Sequence, residues 1–369
     1  MTQRLPPSLT PLDTALAALL RNVDPVAPIE LPLRDAVGCI SAGMPLLPAQ
    51  PPRDIAVVDG WALSANDLVG ASSYSPLPLT ELPVWVDAGD LMPTRCDCVL
   101  DADAVEVSGP LAQVLAEGVP GQGVGRAGSD VADNSPASVE GYPVGSAALL
   151  AARVAGCEKL SVRRPRLRIV NVPCNSTATM QMIADLACAA GADVSAHEAV
   201  ARDAASIAET LDVSACDSLL TIGGSGVGRA DFAVAALTQC GAELAHGLAL
   251  QPGRTAAVGR LGRVPIVALP GSPGSALAVW LALVVPLIDK LSARLCRRTA
   301  TFPLARKVAS SVGLAEIALL AEDHKTWMPL AVGEWPLQAI ARADAWLLIP
   351  ASDEGFAAGE PVDAYLMRE

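Results

Sequence analysis

The spacing of hydrophobic residues changes along the chain and divides it into regions. From residue 54 to residue 130, short apolar runs are broken by proline, glycine and aspartate, which is typical of short strands joined by turns. From residue 166 to residue 296, apolar strands alternate with stretches of helical spacing. This alternation predicts a parallel sheet with helices on both faces. Short strands and turns return from residue 297, so the sequence predicts an α/β plus β fold.

We expect several domains, because 369 residues exceed what one ordinary hydrophobic core supports. The predicted domains are a linker domain of residues 1–53 and 131–165, a small β-rich domain of 54–130, a central α/β domain of 166–296 and a small C-terminal β domain of 297–369. The β-rich domain is thus an insertion in the linker domain.

Two glycine-rich turns stand between a strand and a helix in the α/β region. The first lies in Cys216–Asp231 (CDSLLTIGGSGVGRAD), where Asp231 occupies the position of a helix N-cap. The second is Ala268–Ser275 (ALPGSPGS). Glycines let backbone N–H groups approach an anion, and a helix N-terminus adds a favourable dipole. Because parallel strands share one carboxyl edge, both turns should line one anion-binding pocket.

Charge and cysteine content narrow the classes of function. The formal net charge of −13 argues against broad nucleic-acid binding and against an anionic membrane surface. The nine cysteines are scattered without a C-x-x-C pair, which favours reduced thiols and a cytoplasmic location. Three histidines argue against a zinc site. The longest apolar run, Ala276–Ile288, is shorter than the roughly 20 residues of a membrane span.

A series of segments carries a family resemblance in a fixed order. They read PPRDIAVVDGWAL at 51–63, GRAGSDV at 125–131, RRPRLRIV at 163–170, SLLTIGGSGVGRADF at 218–232, LALQPGR at 248–254, VALPGSPGSAL at 267–277 and LLIPASDEGFAAGEPVDAYL at 347–366. Together they resemble the molybdopterin molybdenumtransferase family, the bacterial relatives of the gephyrin E domain. The chain is similar to a diverged and shortened member.

The resemblance implies insertion of molybdate into adenylylated molybdopterin, with Mg²⁺ as cofactor and release of AMP. Molybdopterin and molybdate would be substrates. The family forms elongated homodimers, with a cleft between the α/β domain of one subunit and the smaller domains of the other. We therefore expect a homodimer, and a molybdoenzyme or another cofactor-biosynthesis protein as a further partner.

Candidate site residues follow from the matching motifs and from the preference of Mg²⁺ for carboxylates. The resemblance assigns Asp59, Asp130 and Asp231 as catalytic residues, and Asp217 and Asp231 are the candidates for the metal. The substrate-binding candidates are Gly223, Gly224, Ser225, Gly226, Gly228, Arg254, Pro270, Gly271, Ser272 and Pro273. Each also has an ordinary structural explanation: a turn or cap for the aspartates and glycines, and a solvated loop position for the arginine.

Departures from the family pattern leave two functions open. The family's Thr-Gly-Asp-Glu-Leu segment is replaced by Val172–Thr177, which contains no carboxylate. The family's two lysines become Gln251 and Arg254, and its threonine aligns with Ala88. Either the chain is an active transferase, or it is a weakened relative that binds molybdopterin as a carrier or partner without metal transfer. An unrelated nucleotide-binding enzyme would carry a G-x-G-x-x-G turn after the first strand of the sheet. This chain has VPCNSTA at that place, which argues against this third class.

Overall fold

The computed structural model describes residues 3–6, 8–43, 45–136 and 138–367. The chain forms two compact units. The first comprises Met1–Gly43, Glu140–Val144 and Ser161–Glu369, and the second comprises Met44–Val139 and Gly145–Leu160. Helices and mixed sheets confirm the α/β plus β class, whereas the division into four domains stays a prediction.

A six-stranded sheet forms the centre of the first unit. In spatial order its strands are Asp193–Glu198, Arg166–Asn171, Ser218–Ile222, Val264–Leu269, Ala257–Leu261 and Glu243–His246. The first four strands are parallel, as predicted, and the last two run antiparallel at one edge. The edge departs from the prediction because a two-residue turn after Leu261 permits only an antiparallel neighbour.

Helices cover both faces of this sheet. Along its central strands, successive residues enter two different cores: Leu220 and Val267 belong to one, and Leu219 and Ala268 to the other. This alternation is expected because neighbouring side chains of a strand point to opposite faces. The helices of the first unit are Leu12–Leu20, Ala178–Ala189, Ala204–Ala208, Ala233–Gln239, Pro273–Val279, Val285–Ser292 and Leu337–Arg342, with a 3₁₀ turn at Leu33–Asp35.

The apolar helix after the second glycine turn is continuous from Pro273 to Ser292. Its middle, Trp280–Val284, is a π-helical segment. Pro286 lacks the N–H that would bond the carbonyl of the residue four positions earlier, which accounts for the local change of register. The helix is long and apolar enough to cross a membrane, yet 78% of its most apolar window is buried inside the structure.

A seven-stranded sheet and two small sheets complete the first unit. Thr10–Pro11, Leu248–Gln251, Ala315–Asp323, Ala345–Ile349, Pro361–Leu366 and Thr299–Pro303 are neighbours in that order, and Thr326–Val332 also pairs with Ala315–Asp323. The small sheets are Ile29–Pro32 with Lys159–Arg163 and Ile40–Ser41, and Val308–Ala309 with Gly355–Phe356. Because Thr10 and Pro11 pair with Leu248 and Ala249, the first helix begins at Leu12.

The second unit is built mostly from short antiparallel strands. Its sheets are Val105–Ser108 with Leu111–Ala116 and Ser72–Leu79; Val84–Val86 with Gly60–Leu63 and Cys98–Leu100; Val124–Gly125 with Ile55–Ala56; and Ser135–Pro136 with Leu46–Leu47. It also holds the helix Ser146–Val154 and the 3₁₀ turns Ala65–Leu68 and Ala102–Ala104. The predicted β-rich character of residues 54–130 is therefore confirmed.

Candidate functional site

A cavity of about 260 Å³ lies at the carboxyl edge of the six-stranded sheet, and we call it the cradle cavity. Its lining consists of Asn171, Val172, Cys174, Ser176, Thr179, Arg202, Ile222, Gly223, Gly224, Gly226, Asp231, Thr255, Pro270, Gly271 and Ser272. Both glycine-rich turns contribute residues, which confirms the prediction that they line one pocket. All of these residues belong to the first unit.

The two turns offer backbone donors to a ligand. Gly223 and Gly224 have φ angles of +83° and +67°, a left-handed region that favours glycine. Within the described residues, four residues of the turns line the cradle cavity with an N–H group that has no hydrogen-bond acceptor: Gly224, Gly226, Gly271 and Ser272. Buried N–H groups are almost always paired in native proteins. These groups can therefore serve an anionic ligand.

Side chains from distant parts of the chain hold the carbonyl groups of the first turn. The Gln3 amide Nε2 donates to the carbonyl oxygens of Gly224 and Gly226, at 3.0 and 2.9 Å. His246 Nε2 lies 2.9 Å from the carbonyl oxygen between them, that of Ser225. Since this oxygen can only accept, Nε2 carries the proton. Three successive carbonyls are thus fixed, and the N–H groups of Gly224 and Gly226, which line the cavity, remain available for a ligand.

Asp231 is not the N-cap of the helix, contrary to the prediction. Phe232 occupies that position, and no side chain caps the helix. Asp231 Oδ2 instead accepts the N–H of Gly228 at 2.8 Å, and Oδ1 lies 3.4 Å from Arg202 Nη2. Among the described lining residues, Asp231 is the only carboxylate of the cradle cavity. The N-cap explanation therefore fails, whereas the contact with Gly228 is a turn contact, and Asp231 stays a candidate catalytic and metal-binding residue.

Four predicted substrate-binding residues do not line the cradle cavity: Arg254 and Pro273 line the second cavity described below, and Ser225 and Gly228 line neither. Ser225 is fully buried, and its hydroxyl has no hydrogen-bond partner in the described structure. The N–H of Gly228 is already used by Asp231. Glycine-rich motifs do not reveal which way each residue of a turn faces, and the substrate-binding roles of Ser225 and Gly228 stay predictions. A serine next to a glycine that lines a cavity can be buried in the core.

The placement of Asp217 also differs from the expectation. It precedes the strand Ser218–Ile222, whereas the cradle cavity follows that strand. At about 3.3 Å per residue, the two ends are about 16 Å apart. Asp217 forms a two-point ion pair with Arg166, with contacts of 2.8 and 3.1 Å, and accepts the Arg166 N–H at 2.8 Å. Asp217 therefore joins two strands at the opposite edge and cannot share a metal ion with Asp231.

The other predicted catalytic aspartates lie in the second unit. Asp59 Oδ1 accepts the N–H of Ala88 at 2.7 Å, so it does contact the position that aligns with the family's threonine. Asp130 is exposed, and its N–H donates to the carbonyl of Gln50 at 2.9 Å. Their catalytic roles remain predictions.

A second cavity of about 540 Å³ contains the predicted Arg254 and Pro273. Thr255 and Ser272 line both cavities, so the two are adjacent. Arg254 brings a guanidinium, which can bind a phosphate or carboxylate through two parallel hydrogen bonds. Within the described residues, no group of three or more His, Cys, Asp or Glu side chains could hold a metal ion.

Sequence reasoning missed several polar residues of the cradle cavity, among them Asn171, Thr179 and Arg202. Asn171 ends the first strand, Thr179 lies in the first turn of the following helix, and Arg202 follows the strand at the edge of the sheet. Thr179 Oγ1 donates to the carbonyl of Gly271 at 2.9 Å, which ties that helix to the second glycine turn. Asn171 lies at the carboxyl end of a parallel strand, and Thr179 and Arg202 follow the carboxyl ends of parallel strands. That topological position was the available signal, because none belongs to a recognisable motif.

Cys174 allows a direct test of ligand position. Cys174 lines the cradle cavity and is exposed, whereas the exposed Cys188 does not line it. With molybdopterin at about ten times its Kd, we expect iodoacetamide to label Cys174 about tenfold more slowly, because a bound ligand covers the thiol. Peptide mass spectrometry after timed anaerobic labelling gives both rates. Equal slowing at Cys188, or none at Cys174, would contradict binding in this cavity.

The buried thiols serve as references in that experiment. Burial, with the nearby Asp97 carboxylate, raises the pKa of Cys98 to about 11. Burial also raises the pKa of Cys39 and of Cys216. Because the thiolate is the reactive form, these three thiols should stay unlabelled at pH 8 while the protein is folded. Their labelling would reveal unfolding rather than ligand release.

Comparison with known proteins agrees with the geometry. The family model described as "MoeA N-terminal region (domain I and II)" matches residues 10–156, and "Probable molybdopterin binding domain" matches residues 175–290. Molybdopterin molybdenumtransferase 2 of Mycobacterium tuberculosis is 28% identical over 300 residues, covering 70% of this chain and 74% of its own. Molybdopterin molybdenumtransferase of Synechococcus elongatus is 25% identical over 369 residues, covering 85% and 88%.

A solved structure has the same fold over almost the whole length. The molybdopterin biosynthesis MoeA protein of Pyrococcus horikoshii OT3 superposes with a TM-score of 0.72 at 22% identity, covering 97% of this chain and 100% of that one. The "Probable molybdopterin binding domain" match contains both glycine turns of the cradle cavity. With the N-terminal region matching as well, the chain belongs to the MoeA family of molybdopterin biosynthesis proteins.

Proposed function

We propose that this protein acts in molybdenum cofactor biosynthesis by binding adenylylated molybdopterin and inserting molybdate, with release of AMP. The observation that carries the proposal is the cradle cavity, in which two glycine turns present unpaired N–H groups within a family whose substrate is molybdopterin. Phosphate and molybdate are both oxyanions, and both are suited to such donors.

Different residues of the cradle cavity would contact different parts of the ligand. The N–H groups of Gly224, Gly226 and Gly271 would hold the phosphate oxygens. Arg202 adds a positive charge at the wall, where its contact with Asp231 is long, at 3.4 Å. A ligand phosphate would compete well for that guanidinium, because hydrogen bonds between two charged groups are the strongest available. The pterin substrate is thereby oriented before molybdate arrives.

The cradle cavity provides one of the ligands that Mg²⁺ prefers. Mg²⁺ is commonly held by one or two carboxylates together with substrate phosphate oxygens and waters. The cradle cavity supplies one such carboxylate, Asp231. When bound, Mg²⁺ would neutralise phosphate charge, and Asp231 would hold it beside the turn. The protein alone offers too few ligands for Mg²⁺, so the binding of Mg²⁺ should depend on the phosphorylated substrate.

The second candidate function is that of a protein that binds molybdopterin but transfers molybdate slowly. Its specific support is the segment that replaces the family's acidic residues, where Cys174 and Ser176 line the cavity without a carboxylate. Losing a positioned acid or base commonly lowers a rate by about 10²–10⁴-fold, whereas binding through N–H groups is unaffected. We therefore propose retained binding with slow transfer.

An anaerobic assay separates these functions. The purified protein is titrated with molybdopterin and with its AMP ester, and then incubated with molybdate and Mg²⁺ while AMP release is followed. Binding accompanied by slow AMP release supports the proposal. No binding of either compound would contradict both functions, and AMP release at the rate of a typical family member would contradict the slow-transfer part.

We also propose a homodimer. An apolar groove of about 670 Å³ in the first unit is lined by Leu16, Leu20, Leu281 and Val285, among others. Contiguous apolar surface of this kind often marks a protein–protein interface. Leu16→Glu is expected to convert a dimer into a monomer in sedimentation velocity, whereas Val200→Glu, at a position 92% exposed outside the groove, should not. A wild-type monomer at micromolar concentration would contradict the dimer.

A further inference from the structure

A side chain from outside the turn holds one carbonyl group in each of the two glycine turns. Thr179 Oγ1 donates to the carbonyl of Gly271 in the second turn, at 2.9 Å. His246 Nε2 donates to the carbonyl of Ser225 in the first turn, also at 2.9 Å. Thr179 lies in the helix after the first strand of the sheet, and His246 lies in an edge strand. The same arrangement therefore occurs twice, and it is built from unrelated elements.

A carbonyl group that is held in place also fixes the N–H group of the next residue. In a trans peptide unit the two groups lie in one plane and point in opposite directions. The peptide bonds that follow Gly271 and Ser225 are trans. Their N–H groups belong to Ser272 and Gly226, which line the cradle cavity and have no hydrogen-bond acceptor among the described residues. Each N–H group thus points away from the side chain that holds its peptide unit.

The direction of these peptide units decides whether the turns attract or repel an anion. If either unit turned over, a carbonyl oxygen would take the place of the N–H group, and its partial negative charge would repel an oxyanion. Thr179 is only 7% exposed, so its hydroxyl would then lose its acceptor in a place with little access to water. A buried donor without an acceptor is costly, which favours the orientation that offers the N–H group.

We propose that Thr179 and His246 are positioning residues of the cradle cavity, which hold the N–H groups of Ser272 and Gly226 toward an oxyanion of the ligand. The inference rests on the proposed function, from which it takes the ligand. His246 is not among the described residues that line the cavity, so its effect on binding is indirect. Thr179 does line the cavity, and its indirect action needs a separate test.

Thr179→Val removes the hydroxyl group and keeps the shape of the side chain. Anaerobic calorimetric titration of the full chain with molybdopterin should show about tenfold weaker binding, because the Ser272 donor is no longer held toward a charged group. Thr179→Ser keeps the hydroxyl and should bind within about twofold of the wild type. Thr238→Val is the matched control, because it removes a similar bond, of 2.8 Å to the Val234 carbonyl, on an exposed helix position outside the cavity.

A second substitution distinguishes positioning from direct contact with the ligand. Ser272 has φ −75° and ψ 134°, which proline can adopt, so Ser272→Pro deletes the N–H group without a change of backbone conformation. If Thr179 acts through this N–H group, Thr179→Val should weaken binding no further in the Ser272→Pro protein. In Ser272→Ala, which keeps the N–H group, it should still cost about tenfold. A further tenfold loss in the Ser272→Pro protein would overturn the positioning role of Thr179.

The histidine has a conservative replacement of its own. His246→Gln retains a nitrogen donor for the Ser225 carbonyl and should bind molybdopterin within about twofold of the wild type, whereas His246→Leu should bind about tenfold more weakly. His197→Leu, at an exposed position of the other edge strand, is the control and should bind as the wild type does. A thermal melt shows that each variant is folded.

The outcomes separate this inference from the proposed function. Unchanged affinity in folded Thr179→Val or in folded His246→Leu would overturn the positioning role of that residue. If the wild-type protein still bound molybdopterin and released AMP from its ester, the proposed function would stand. The two residues are tested independently, so the inference is tested even if His246→Leu does not fold. A wild-type protein that bound neither molybdopterin nor its AMP ester would overturn both.

Discussion

Replacing Gly226 by valine is expected to weaken molybdopterin binding about 100-fold. A Cβ at this position would lie 2.5 Å from Asp231 Oδ2, the atom that accepts the N–H of Gly228. Asp231 would have to leave its place, and the valine would cover the free N–H of the turn. Each lost hydrogen bond to a charged group costs about 1.5–3 kcal/mol, and about 1.4 kcal/mol is tenfold in affinity.

The cause is crowding rather than backbone strain. Gly226 does not have a positive φ, unlike Gly223 and Gly224, so valine would not be forced into the left-handed region. Calorimetric titration gives the affinity, and a thermal melt shows whether the variant is folded. Gly145→Val is the matched control, because a Cβ there would meet nothing within 4 Å and its φ is −90°. Unchanged affinity in folded Gly226→Val would mean that the turn is only structural.

Ser176→Glu is expected to raise Mg²⁺-dependent molybdate transfer about 10- to 100-fold, given that positioned acids and bases contribute about 10²–10⁴-fold. Ser176 lines the cradle cavity, so a carboxylate there would join Asp231 around the ligand. The change removes one hydrogen bond, from the Ala178 N–H to Ser176 Oγ at 3.2 Å. The new charge lies just before the helix Ala178–Ala189, where the helix dipole favours it.

Asn175→Asp is the matched comparison for that gain. Asn175 is the neighbouring residue but does not line the cavity, so its substitution adds the same charge outside the ligand site. AMP release at saturating substrate measures both variants. Equal gains in the two would point to a general effect of charge, and no gain in Ser176→Glu would show that more than a carboxylate is missing.

The sheet and its turns could be predicted because their signals are local. The strand Ser218–Ile222 is buried over its whole length, so it reads as an apolar run. Gly223 and Gly224 need φ angles that favour glycine, so the turn is visible as a glycine motif. The position of both turns at one edge then followed from the topology of parallel strands.

The orientation of individual side chains could not be predicted. Ser225 and Gly226 are adjacent in the same motif, yet the first is buried in the core and the second lines the cavity. Asp231 has the spacing of an N-cap, but its carboxylate is drawn to the Gly228 N–H in the turn. These facts depend on tertiary structure, for which the sequence offers no local pattern.

The bond from Gln3 to the first glycine turn has a consequence for synthesis on the ribosome. Gln3 is translated 221 residues before Gly224, whose carbonyl it holds. At about 5–20 residues per second, this separation is about 11–44 s. During that interval the N-terminal segment has no turn to hold, although the shorter-range contacts of the second unit can already form. The earliest residues of the nascent chain are therefore among the last to reach their native contacts, and ligand binding should become possible only late in translation.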